Sequence, residues 1–253
     1  MSTNPSHPPP SAAIDYTAQP TQIIVGKDEH ERTFYIHPGQ FSKHSKFFAA
    51  ALKAPWKEAE EGVIRLPNER YDDFSVFANF IYDRKLRCWY STPSPEDLAG
   101  IQQDVASGRT VLQAGETIET IVSLNQEYEN LCDYWLLGDV YMATSFQDAV
   151  MDGLITVVQS LMDRRQLLPA LHDLAYTRTA GANALRRLSV DIVAWNLDKI
   201  KSDFPIEFYK DLALRSVKVQ CGGLKSGKAP FEEEGCEYHE HVAAGTDCYK
   251  TMS

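Results

Sequence analysis

Thr21–Gly26 (TQIIVG) is a short β-branched run ending in Gly, and after the charged run Lys27–Glu31 apolar and polar positions alternate over Arg32–His37 (RTFYIH). Period-two alternation interrupted by a polar cluster predicts strand, turn and strand, with Phe34 and Ile36 on one face. Pro38 follows, a residue suited to the first turn of a helix. Phe47, Phe48, Ala51 and Leu52 then show the spacing of a buried helical stripe. Ser45 precedes it, and a serine there caps a helix by accepting an orphan backbone N–H. Lys43 and Lys46 fall toward solvent. Val63, Ile64 and Leu66 predict a third short strand stopped by Pro67, and Phe74, Phe77, Phe80 and Ile81 a second helical stripe.

The periodicity fades from Cys88 to about Gly115, where Ser, Pro and Gly accumulate. This stretch reads as a long insertion, of the kind that is functional or disordered. A stripe returns with Leu131, Tyr134, Trp135 and Leu137, leading into Tyr141 and Met142. It resumes from Phe146 to Leu161 after a break near Thr144-Ser145. Two further helices are predicted over 185–200 and 205–218, the second opened by Pro205. From Gly222 onward the chain is rich in Gly and Glu and aperiodic. This order of elements fits many α+β folds.

Composition narrows the function. With 253 residues and 43% hydrophobic content, the chain can bury a substantial core, as one large domain or one domain with an appendage. A formal charge of −10 argues against nucleic acid, whose phosphates recruit clustered Lys and Arg, and against an anionic membrane surface. No run of about twenty apolar residues predicts a membrane span. Residues 1–20, MSTNPSHPPPSAAIDYTAQP, lack the charged start and apolar run of a signal peptide and read as a disordered lead-in with polyproline character. The expected compartment is cytosol or nucleus. There the five cysteines, Cys88, Cys132, Cys221, Cys236 and Cys248, are expected as reduced thiols or metal ligands rather than disulfides.

Several stretches tempt a chemical reading. His37 and Ser45 offer a base and a nucleophile, but no third orienting residue or oxyanion loop accompanies them, which favours structural roles. Gly222–Ala229 (GGLKSGKA) imitates a phosphate-binding loop up to its last position. Ala229 replaces the Ser or Thr that holds Mg²⁺ and no strand precedes it, so a linker is expected. Asp72 and Asp73 sit where acids complement a helix N-terminus, and Glu232–Glu234 read as a solvated run. The strongest candidate is Cys236–Cys248 (CEYHEHVAAGTDC). Cys236, His239, His241 and Cys248 are donors that tetrahedral zinc favours, and Cys-x2-His is an accepted ligand spacing. His-x6-Cys departs from the usual close pairs. If strand-borne, His239 and His241 would share a face. A structural zinc and a metal-free tail, docked or disordered, both stay open; with the metal, the tail would be the working module of a regulatory or nuclear factor.

Val25-Gly26, then His37-x3-Phe41-x3-Ser45-x2-Phe48, Trp56-Lys57-Glu58, Ile64-Arg65-Leu66-Pro67, Phe74 and Ile81-Tyr82 together resemble the BTB/POZ domain, most closely the single-BTB proteins of fungi. The resemblance resumes at YENLCDYWLLGDVYMATSFQDAVMDGL, and YTRTAGANALRRLSVDIVAW is similar to the helical extension of the same group. It implies a small sheet of short strands flanked by a cluster of helices, over 21–165, with an insertion at about 88–120. A helical extension over 166–220 and a Cys/His-containing tail over 221–253 would follow. It further implies an interaction module without catalytic activity that self-associates through its first strand and first helix. Some relatives are substrate adaptors for cullin-type ubiquitin ligases, and in them an apolar residue, any residue and Glu contact the cullin. Trp56-Lys57-Glu58 matches that pattern; the alternative is that Trp56 covers the end of the Phe47-Phe48 helix and Glu58 is a solvated charge. The resemblance makes His37 a packed residue at the strand-to-helix joint, with His44 expected exposed. The client protein is not legible.

Overall fold

Three short strands form the sheet of an α+β fold, seen in a computed structural model that describes residues 15–53, 55–166, 171–195, 204–222, 229–232 and 235–251. The lead-in up to residue 14, residues 196–200 of the helix predicted over 185–200, residues 223–228 of the phosphate-loop look-alike, and Glu233-Glu234 lie outside the described residues. β1 (Thr21–Val25) and β2 (Arg32–Ile36) pair antiparallel, with Thr21 opposite Ile36 and Val25 opposite Arg32. β3 (Val63–Leu66) lies parallel on the other edge of β1, with Ile23 opposite Ile64. The order is β2-β1-β3, so both edges of β1 are occupied. Gly26 makes the hairpin turn at φ +88°, where a Cβ would stand 2.7 Å from the His30 carbonyl oxygen. That crowding and the left-handed backbone both demand glycine.

A parallel partner requires a crossover, and α1 (Pro38–His44), α2 (Lys46–Ala51) and α3 (Lys57–Glu61) supply it. Pro38 occupies the first turn of α1. Ser45 caps α2: its Oγ accepts the Phe48 N–H at 3.1 Å and donates to the Tyr141 carbonyl at 2.6 Å. One buried hydroxyl thus starts a helix and fastens it to a segment 96 residues away. A cap contributes roughly 1 kcal/mol and a buried hydrogen bond a similar amount.

α4 (Tyr71–Asp83) carries Asp72 and Asp73 in its first turn and buries Phe74, Phe77, Phe80 and Ile81. α6 (Ile118–Val140) and α7 (Thr144–Asp163) form a helical hairpin with a close approach at Gly138, where a Cβ would lie 2.6 Å from Gln147 Cγ. Between sheet and hairpin sits an aromatic nucleus. Phe41 stacks on Phe48 with centroids 4.2 Å apart, and Phe77 meets Phe48 at 6.0 Å, Tyr141 at 5.1 Å and Phe146 at 5.3 Å.

His44 corrects an expectation: it is buried, with 7% of its surface exposed. It stands three residues after Phe41 on the inward face of α1. Burial, then the neighbouring Arg84 and Lys43 charges, hold the imidazole down at about 3. The unfolded chain protonates this group below about pH 6.5, whereas the folded chain resists until about pH 3. Protons therefore favour the unfolded state across that window, and stability falls as pH drops through it. His44→Leu should flatten the acid limb: between pH 7 and pH 4 the wild type should lose about 2–3 kcal/mol more than the variant in urea titrations.

The aperiodic 88–115 stretch is also more ordered than expected. It contains α5 (Pro95–Ala106), begun by a capping box in which Ser94 and Asp97 exchange hydrogen bonds. Ile101 on α5 joins Ile121 and Val122 in a satellite core that Leu98, Val105, Leu112 and Ile118 surround. Arg164, at the end of α7, pairs with Glu116 and accepts the Val111 N–H on its carbonyl, tying the insertion down. The extension comprises α8 (Leu171–Arg178), which the sequence reading did not anticipate, α9 (Ala184–Trp195) and α10 (Ile206–Gly222). The described part of the tail is docked: Ala229, Phe231 and Tyr238 belong to the main core. Among the described residues no helix is long and apolar enough to cross a membrane.

Candidate metal centre

Residues 235–251 fold as a short return over α7, with the four-residue α11 (His241–Ala244) in the middle. Gly245, at φ +65°, ends α11 in the left-handed conformation and turns the chain back, so that Cys248 returns to the start of the segment. The consequence is convergence. One ligand atom from each of Cys236, His239, His241 and Cys248 lies within 4.8 Å of the other three. The two histidines meet not by sharing a strand face but because α11 begins between them, bringing their rings to 5.2 Å. His239 is buried, with 1% of its surface exposed; His241 is also buried, and the two cysteines are half-buried.

Two carboxylates on α7 orient the imidazoles. Asp152 Oδ1 lies 3.0 Å from His239 Nε2, and Asp148 Oδ2 lies 2.6 Å from His241 Nδ1. Asp148 also accepts the Glu240 N–H at 2.6 Å, and Asp152 accepts Tyr249 Oη–H and, at 2.8 Å, Lys250 Nζ–H. Burial alone would raise the Asp152 carboxyl, but hydrogen bonds from His239, Lys250 and Tyr249 hold it down at about 2. Positions 148 and 152 are one helical turn apart and share a face. Neither belongs to a metal-type spacing in the sequence, although two acids inside the apolar stripe of α7 are a signal that buried partners must exist.

The other sequence candidates are placed elsewhere. His37 is half-buried at the joint between β2 and α1, with Nδ1 3.0 Å from the Tyr82 hydroxyl. Ser45 is buried and committed to Phe48 and Tyr141. The two therefore serve different partners and do not form a base–nucleophile pair. Phe41 and Phe48 are core. Burial pushes the Cys88 and Cys132 thiols up to about 12, in Cys88 with help from Glu127 and in Cys132 from Asp133 and Glu129, so both stay protonated. A cleft between α9 and α10 is lined by Arg186, Arg187, Asp191, Asp211 and Arg215. Each is already satisfied internally, Arg186 by the Ala175 and Thr179 carbonyls, Arg187 by Glu237, Asp191 by Arg215, and Asp211 by Tyr176.

Trp56 is the N-cap residue of α3 and 60% exposed. Glu58 lies in the first turn of α3, half-buried. Scanned against models of known protein families, the chain matches none. A search of curated proteins likewise finds no match.

Proposed function

We propose that this chain is a non-enzymatic protein-interaction module of the BTB/POZ type, acting as an adaptor between a cullin-type ligase scaffold and a client protein. The observation that carries the reading is the exposure of Trp56 ahead of Glu58, on a helix that leads into a sheet edge. The β-hairpin, the helical crossover to a parallel third strand and the α6–α7 hairpin support it, because they follow the order that the resemblance implies. Client contact falls to the insertion, the extension or the tail. Self-association belongs to the same reading, but β1 has no free edge, so the first strand cannot recruit a second copy by sheet extension. The exposed face of α1 is left for that contact.

Capture of a purified cullin by the full chain tests the proposal. Trp56→Ala and Glu58→Lys should each weaken capture by about 30-fold, as loss of an interface anchor does, with unchanged thermal stability. A wild-type chain that captures no cullin at micromolar concentration removes the adaptor reading. A strictly monomeric species in light scattering of the same preparation removes self-association.

A further inference from the structure

The geometry points to a structural zinc ion held by Cys236, His239, His241 and Cys248, with Asp148 and Asp152 of α7 as the groups that aim the two imidazoles. This inference is independent of the adaptor reading and holds or fails without it. Its starting point is the direction of the ring nitrogens. A histidine that donates one N–H to a carboxylate presents a lone pair on the other nitrogen. In His241 the Nδ1 is committed to Asp148, which leaves Nε2 as the ligand. In His239 the Nε2 is committed to Asp152, which leaves Nδ1, and that atom lies 4.0 Å from Cys248 Sγ. Each ring is thus fixed by α7 on one side and keeps a lone pair on the other nitrogen, which in His239 faces Cys248.

Dimensions agree. Tetrahedral zinc with bonds of about 2.3 Å to sulfur and about 2.0 Å to nitrogen separates its ligand atoms by roughly 3.3–3.8 Å. One donor atom from each of the four residues lies within 4.8 Å of the others, so closure requires a contraction of at most about 1.5 Å. Two thiolates and two neutral imidazoles balance the dication, and binding releases one proton from each thiol. The donor set is closed, with no position left for substrate, which makes the role structural.

Ordinary histidine–aspartate pairs would account for His239, His241, Asp148 and Asp152, but not for two cysteines twelve positions apart brought to the same point. The ion instead joins both ends of the tail segment and holds them to α7, where Phe231 and Tyr238 are already seated in the core.

Metal analysis of the full chain, purified with reductant and zinc and then dialysed, should give one zinc per chain. Cys236→Ser and Cys248→Ser should each lose most of it. Asp152→Asn should keep the ligands and weaken zinc affinity by about 10–100-fold in competition with a chelator, the usual cost of losing an outer partner. The wild type also reports without any substitution: cobalt(II) in place of zinc should show the visible absorption of a tetrahedral thiolate site. Zinc should shield Cys236 and Cys248 from a thiol reagent until chelator is added. A reduced wild-type chain with no retained zinc and no such cobalt spectrum overturns the assignment. So does full zinc retention in a chain lacking both Cys236 and Cys248.

Discussion

Phe77→Ala is expected to cost about 3–5 kcal/mol, enough to leave the sheet and its helices marginal at physiological temperature. Phe77 is fully buried and touches the rings of Phe41, Phe48, Phe74, Tyr141 and Phe146, which come from α1, α2, α4, the α6–α7 turn and α7. Removing its ring opens a cavity that no single neighbour can fill, because each neighbour is anchored in a different element. The loss should appear as a lower urea midpoint and a weakened aromatic circular dichroism signal. Phe77→Leu, which keeps most of the volume, should recover more than half of it. A Phe77→Ala chain within 1 kcal/mol of wild type, a bound well below the usual cost of such a truncation, would mean that the nucleus does not hold sheet and hairpin together.

Asp191→Ala should be as costly but confined to the extension and tail. Asp191, with 1% of its surface exposed, receives Arg215 Nε–H at 2.5 Å and Nη2–H at 2.8 Å, and Tyr238 Oη–H at 2.6 Å. One carboxylate on α9 therefore fastens both α10 and the tail. Deleting it leaves the Arg215 guanidinium with Glu237 alone, at 2.9 Å, and strands the buried Tyr238 phenol, a change that costs on the order of 3–5 kcal/mol when one partner of a buried pair is lost. Hydrogen exchange should accelerate over 204–216 and 235–251 while β1, β3 and α4 keep their protection. Uniform acceleration across the chain would show instead that extension and core open as one unit.

How far the sequence foretold this arrangement depended on whether each element buries one face. β1, β2, β3, α2, α4 and α7 do, and their apolar periods were legible. The helix α5 was legible too in its parts: Ser94-Pro95 with Asp97 is a helix start, and Leu98, Ile101 and Val105 have helical spacing. Its Ser-, Pro- and Gly-rich flanks concealed it. His44 was misplaced because a histidine among lysines reads as surface, although its spacing from Phe41 points inward. The tail has no period because it docks through isolated anchors, Phe231, Tyr238 and Tyr249, rather than through a continuous face. Its four metal-type donors were visible in sequence, yet the carboxylates that orient them lie some ninety positions earlier. No local pattern links the two.

The aromatic nucleus also sets a timetable for synthesis. Phe41, Phe48, Phe74, Phe77 and Phe80 are all translated before residue 81, whereas Tyr141 and Phe146, which roof them, come some sixty residues later. At about 5–20 residues per second the nascent chain trails an open phenylalanine surface for roughly 3–13 s. The growing polypeptide is therefore most prone to aggregation during that interval, and variants that lengthen the insertion extend the exposure.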